Sequence, residues 1–149
     1  MLVNRAYKTL TECRLFHYRT EGRKKYLETN LSDENILKQA EQYMINPVVA
    51  IYKCRNVSSD RLKAGLYALE SKSMIDISEN DICFADIRKN ISICEEDEKY
   101  QRVECWCYNP KFLSESSTVD DISLILSLKA NPDERIQIAI DELRRKYKW

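Results

Sequence analysis

Residues 2–29 read LVNRAYKTLTECRLFHYRTEGRKKYLET. Two periodicities meet in this stretch. Val3, Tyr7 and Leu10 fall at i, i+4 and i+7 with Ala6 beside them, the spacing of an apolar stripe on a helix from Leu2 to about Cys13. Asn4, Lys8 and Thr11 repeat that spacing on another face, flanked by Arg5. Past Cys13 the runs LFHYRT and KKYLET are rich in β-formers. They are joined across Glu21–Gly22, where glycine supplies the positive φ of a tight hairpin turn.

Charge sharpens the picture. The chain of 149 residues is formally neutral, with 24 cations and 24 carboxylates. Residues 1–30 hold seven cations against Glu12, Glu21 and Glu28, a surplus of four, which leaves 17 cations and 21 carboxylates for the remainder. A basic start on an acidic body is the asymmetry that phosphate binding asks for.

Composition bounds the class. With 44% hydrophobic residues, 32% charged, two glycines and three prolines, the chain is expected to be helix-rich, to carry a real core and to be soluble. No apolar run reaches the roughly 18 residues of a membrane span, and the N-terminus does not read as a signal peptide. A reducing cytoplasm with free thiols is therefore expected for Cys13, Cys54, Cys83, Cys94, Cys105 and Cys107. Cys105 and Cys107 in VECWCYN alternate as in a strand and should share one face. Two further ligands at compatible spacing are lacking and the one histidine, His17, is distant, so core packing outweighs zinc.

Further along, NLSDENILKQAEQYM reads as a helix started by Ser32 or Asp33, with Ile36, Ala40, Tyr43 and Met44 on its apolar side and Asn46–Pro47 at its end. VVAIYKC is a strand, SSDRLKAGLYALESKS a helix with Leu62, Leu66 and Leu69 in register, and DICFADI a strand. The acidic run Glu95–Glu98 reads as a solvated loop, and RVECWCY as a third strand in this block. Two helices close the chain, TVDDISLILSL and NPDERIQIAIDELRRKYKW, parted at Asn131–Pro132, with Ile136, Ile140, Leu143 and Tyr147 as the last stripe. The expected boundary lies near residues 46–48, giving regions 1–46 and 47–149. The expected class is α+β.

A helix that reads DNA in the major groove needs short polar or cationic side chains, because Asn can bridge adenine and Arg or Lys guanine. Asn4, Arg5, Lys8 and Thr11 meet that need. A hairpin touching the backbone needs positive charge and little bulk at its tip, which Arg19, Gly22, Arg23, Lys24 and Lys25 supply. The same features also fit a solvated basic surface, and Arg14 equally suits a helix C-terminus. His17, Trp106 and Tyr108 read as packing or surface residues.

The stretch NRAYKTLTECRLFHYRTEGRKKYL resembles the recognition helix and wing of MarR-like winged-helix regulators. Their polar–Arg–Ala start, helix-closing Leu, apolar strand and Glu-Gly-Arg wing are matched by Arg5, Ala6, Leu10, Leu15, Glu21, Gly22 and Arg23. The segments AEQYMINPVVAIY, LKAGLYALES and TVDDISLILSLKANPDERIQIAIDELRRKYKW resemble an uncharacterised C-terminal region in a group of bacterial winged-helix proteins. That region usually starts Val-Asp-Pro-Leu-Ser, and Asp121 stands here for the proline. More loosely, related winged-helix proteins are antitoxin-type autoregulators of abortive-infection systems.

The resemblance implies a partial winged helix, double-stranded DNA as partner and a homodimer reading two half-sites. It also implies that the helices which normally precede the recognition helix are missing, so a partner chain or absent segment would supply its floor. Exposing Val3, Tyr7 and Leu10 would forgo roughly 1.5–3 kcal/mol each. A protein-interaction module such as an antitoxin is the alternative. No cofactor is expected. Neither is catalysis, since the chain has no phosphate-cradling glycine loop, no Gly-x-Ser-x-Gly and no His-Glu-x-x-His, and Asp120–Asp121 and Asp133–Glu134 sit where helices start.

Overall fold

Helix α1 spans Leu2–Glu12 and is followed by strands β1 (His17–Glu21) and β2 (Lys24–Glu28). These and all later elements come from a computed structural model that describes residues 2–54, 57, 60–76, 82–87 and 100–146. α1 ends on Arg14, which takes the left-handed conformation at φ 58°, while its N–H donates to the Thr11 carbonyl at 3.0 Å. β1 and β2 pair antiparallel from Glu21↔Lys24 to His17↔Glu28. Only Gly22 of the two loop residues has positive φ, 59°, as a II′ turn requires.

Helix α2 (Asp33–Ala40) is capped by Ser32, whose hydroxyl accepts from the Asn35 N–H at 3.4 Å. The expected apolar side is only half-buried. Over Glu41–Tyr43 the helix tightens to a 3-10 turn, which has about three residues per turn and so breaks the stripe. Tyr43 is left 52% exposed. Among the described residues, those up to Met44 form one compact unit and Ile45–Lys146 a second.

The second unit is built on a mixed sheet of order β3-β6-β5-β4. Its strands are β3 (Val48–Cys54), β4 (Leu62–Lys63), β5 (Cys83–Ile87) and β6 (Gln101–Trp106). β6 runs antiparallel to β3 and parallel to β5. Residues 88–99 between β5 and β6, with the acidic run and Cys94, lie outside the described residues.

As the central strand, β6 is buried on both faces: Val103, Glu104, Cys105 and Trp106 are all inside. This corrects the expectation that Cys105 and Cys107 share one face of a strand. The strand ends at Trp106, and Cys107, whose N–H donates to the Pro47 carbonyl at 2.9 Å, is exposed.

The helix expected over residues 58–73 forms only at its centre, as α3 (Gly65–Glu70). Leu62 and Lys63 pair instead with Ala85 and Phe84 of β5, and the backbone of Lys63 also receives from Val119 N at 3.0 Å and donates to Ser117 O at 2.9 Å. Gly65 then turns the chain at φ 52°, a conformation that stops the helix from extending backward. Residues 58 and 59 lie outside the described set.

α3 packs on β5, and α4 (Asp121–Leu128) packs on α3 and on α5 (Glu134–Lys146). Asp120 caps α4 by accepting from Ser123 N at 2.9 Å, and Asp133 accepts from Arg135 N at 2.9 Å at the start of α5. Both helix-start readings of these acids hold. Leu124, Ile125, Ile140 and Leu143 are almost fully buried, each contributing on the order of 1.5–3 kcal/mol. Tyr147 lies outside the described residues. No helix of the described residues is long and apolar enough to cross a membrane.

Candidate nucleic-acid interface

In the first unit the α1–hairpin contact centres on aromatic rings. Tyr7 of α1 stacks on Tyr18 of β1 with centroids 6.1 Å apart and planes 30° apart. Leu15, just past α1, is buried, whereas Ala6 and Leu10 of the predicted stripe remain exposed and Tyr7 is half-buried.

On the polar side of α1, Arg5 and Lys8 are exposed. Lys8 pairs with Glu12 one turn on, at 3.6 Å. Thr11 is half-buried, and its hydroxyl hydrogen bonds to the backbone, 2.8 Å from Lys8 O and 3.1 Å from Tyr7 O. Its proton is committed to the helix, so only its acceptor lone pairs face outward. Asn4 lies within α1, and its side chain lies outside the described residues.

The hairpin register sorts the remaining cations. Strand alternation places His17, Arg19 and Glu21 on one face with Lys24, Tyr26 and Glu28, and puts Tyr18, Thr20, Lys25 and Leu27 on the other. Lys24 and Lys25 therefore leave the tip in opposite directions, with Arg23 in the turn between β1 and β2. All three are exposed, and with Arg5 they form no ion pair among the described residues.

Arg19 differs. Its Nη1 lies 2.6 Å from Glu21 Oε1, its Nε lies 2.5 Å from Glu28 Oε1, and its guanidinium sits 5.4 Å from the Tyr26 ring centroid. Glu28 is shared with His17, 3.9 Å away. The structure thus gathers Arg23, Lys24 and Lys25 at the tip but binds Arg19 into an acidic clasp. The sequence reading counted Glu21 and Glu28 but missed their pairing with Arg19, although the two-residue strand period, counted from the Gly22 turn, puts all three side chains on one face.

The second unit holds two other polar features. A pocket of about 210 Å³ is lined by Asp60, Arg61, Asp86, Asn109 and Lys111 among others. Its charges cancel in pairs, Arg61–Asp86 at 2.9 Å and Lys111–Asp60 at 3.3 Å. In the core, Glu104 is 4% exposed and accepts from Trp106 Nε1 at 3.0 Å. Burial pushes the Glu104 carboxyl above the usual range, against the donors Trp106 and Cys83 that favour its charged form. Burial, with the charge of Glu104, also drives the Cys83 thiol far up, so Cys83 is held as the unreactive thiol. No cluster of three metal-ligating side chains occurs among the described residues.

No protein-family model, no curated protein and no solved structure matches the chain.

Proposed function

We propose that the chain is a DNA-binding transcriptional regulator, or part of one. In this reading α1 serves as the recognition helix and the β1–β2 hairpin as the wing of a partial winged helix, and the second unit is an interaction or effector domain without catalytic activity. One observation carries the reading: three consecutive exposed cations, Arg23, Lys24 and Lys25, crown a glycine turn on a hairpin stacked against a helix that exposes Arg5 and Lys8. Such a tip can straddle a phosphate backbone, each neutralised phosphate releasing a counterion. Two copies would read two half-sites through two-fold symmetry.

The test is a titration of the whole chain with duplex DNA at several salt concentrations. Arg23→Ala/Lys24→Ala/Lys25→Ala should weaken binding and lower the slope of log K against log salt by about 2–3. Unchanged affinity in that variant removes the hairpin from the reading.

A second reading, a protein-interaction module such as an antitoxin, is favoured by β3. This strand is the outer edge of the sheet among the described strands, and it leaves Val49 and Ile51 more than half exposed. Unpaired apolar edges invite added strands. Co-purification of a stoichiometric protein partner, with no measurable DNA affinity, would favour it.

A further inference from the structure

We propose that Glu21 and Glu28 are built-in competitors for the phosphate site, holding Arg19 off nucleic acid until a duplex displaces them. This inference rests on the DNA-binding reading of the hairpin.

The geometry is specific. Arg19 presents two different edges to two carboxylates, Nε to Glu28 at 2.5 Å and Nη1 to Glu21 at 2.6 Å, while Tyr26 lies against its guanidinium. These directional guanidinium donors are what a phosphate would otherwise engage. The carboxylates come from the two strands of one hairpin, Glu21 two residues along β1 and Glu28 diagonally across on β2, so the clasp is part of the hairpin itself.

The clasp is weak enough to yield. Arg19 has 49% of its side chain exposed, Glu21 55% and Glu28 37%. Ion pairs this open are worth little in water. A phosphate that engages Arg19 must first displace them, so in the wild type the contact gains little over the clasp it replaces. His17 Nε2 lies 3.9 Å from the same Glu28 carboxylate. The charged groups sharing this face of the hairpin are Arg19, Glu21, Lys24 and Glu28 with His17. Unlike Arg23, Lys24 and Lys25, Arg19 is therefore a reserve contact, engaged only when the carboxylates are displaced or removed.

A double-mutant cycle on the whole chain tests this, read by fluorescence anisotropy with a duplex of about 20 base pairs at about 50 mM salt. Glu21→Gln/Glu28→Gln should tighten binding about three- to tenfold, and Asp33→Asn/Glu34→Gln on α2 controls for the change of two in net charge. Arg19→Ala should change wild-type affinity less than about twofold, yet abolish most of the gain in the double-Gln background. Equal effects of Arg19→Ala in both backgrounds, or a gain no larger than the Asp33→Asn/Glu34→Gln control gives, overturn the clasp. Absence of binding by both the wild type and the double-Gln chain sinks the DNA-binding reading itself and the clasp with it. Binding by the wild type without a gain in the variant sinks only the clasp.

Discussion

A Cβ placed on Gly65 would lie 2.9 Å from Glu104 Oε1, and Gly65 itself sits at φ 52°. Backbone conformation and space both demand glycine here. The glycine lets the start of α3 close over a carboxyl that is hydrogen-bonded to Trp106 and neighbours Cys83. Gly65→Ala should therefore destabilise the second unit by about 1–3 kcal/mol. Urea unfolding followed by tryptophan fluorescence measures it, and a change below about 0.5 kcal/mol would show that the crowding is relieved by a small shift.

Glu104 gives a pH signature. Its folded-state pKa is raised above the unfolded value by burial. Between those two values the folded chain binds more protons than the unfolded one, so its contribution to stability is fully present below the unfolded value and is lost as pH rises through the folded one. Glu104→Gln keeps an oxygen for Trp106 Nε1 and removes the titration. The stability of the variant relative to the wild type should then rise as pH is taken from about 4 to neutrality. Parallel stability–pH curves for the two proteins would place the Glu104 ionisation elsewhere.

Arg14 closes α1 in the left-handed region at φ 58°, where side chains other than glycine carry strain. Arg14→Gly should stabilise the first unit by about 0.5–1 kcal/mol. Circular dichroism melting is the measurement. A lowered midpoint would mean that the arginine side chain makes a contact worth more than the strain it incurs.

Asp120 separates capping from charge. One oxygen accepts from Ser123 N at 2.9 Å, while the other is buried without a hydrogen-bond partner among the described residues. Asp120→Ala should cost about 0.5–2 kcal/mol, whereas Asp120→Asn, which preserves the cap, should cost little. Equal losses in the two variants would assign the role of Asp120 to its charge.

Local rules made much of the chain legible. The 3.6-residue spacing of Val3, Tyr7 and Leu10 marked α1, Glu21–Gly22 marked the hairpin, and Ser32 and Asp120 marked helix starts, because caps and turns are settled by a residue and its near neighbours in sequence. The exposed cations at the tip were visible for the same reason. The clasp on Arg19 was within reach too, since a hairpin's register follows from its turn.

Other features depended on what packs on what. RVECWCY alternates like a strand with one wet face, yet Val103 to Trp106 of β6 are buried on both faces of the sheet. Leu62 fits a helical stripe, but Lys63 meets Val119 and Ser117 from more than fifty residues away along the chain, and those backbone hydrogen bonds outweigh the local preference. The burial of Glu104 was equally hidden, since a carboxyl in a strand looks solvated until the start of α3 is laid over it. Sequence by itself determined the elements whose hydrogen bonds close within a few residues. The tertiary structure decided every feature whose desolvation comes from a distant part of the chain, because burial is a property of neighbours in space.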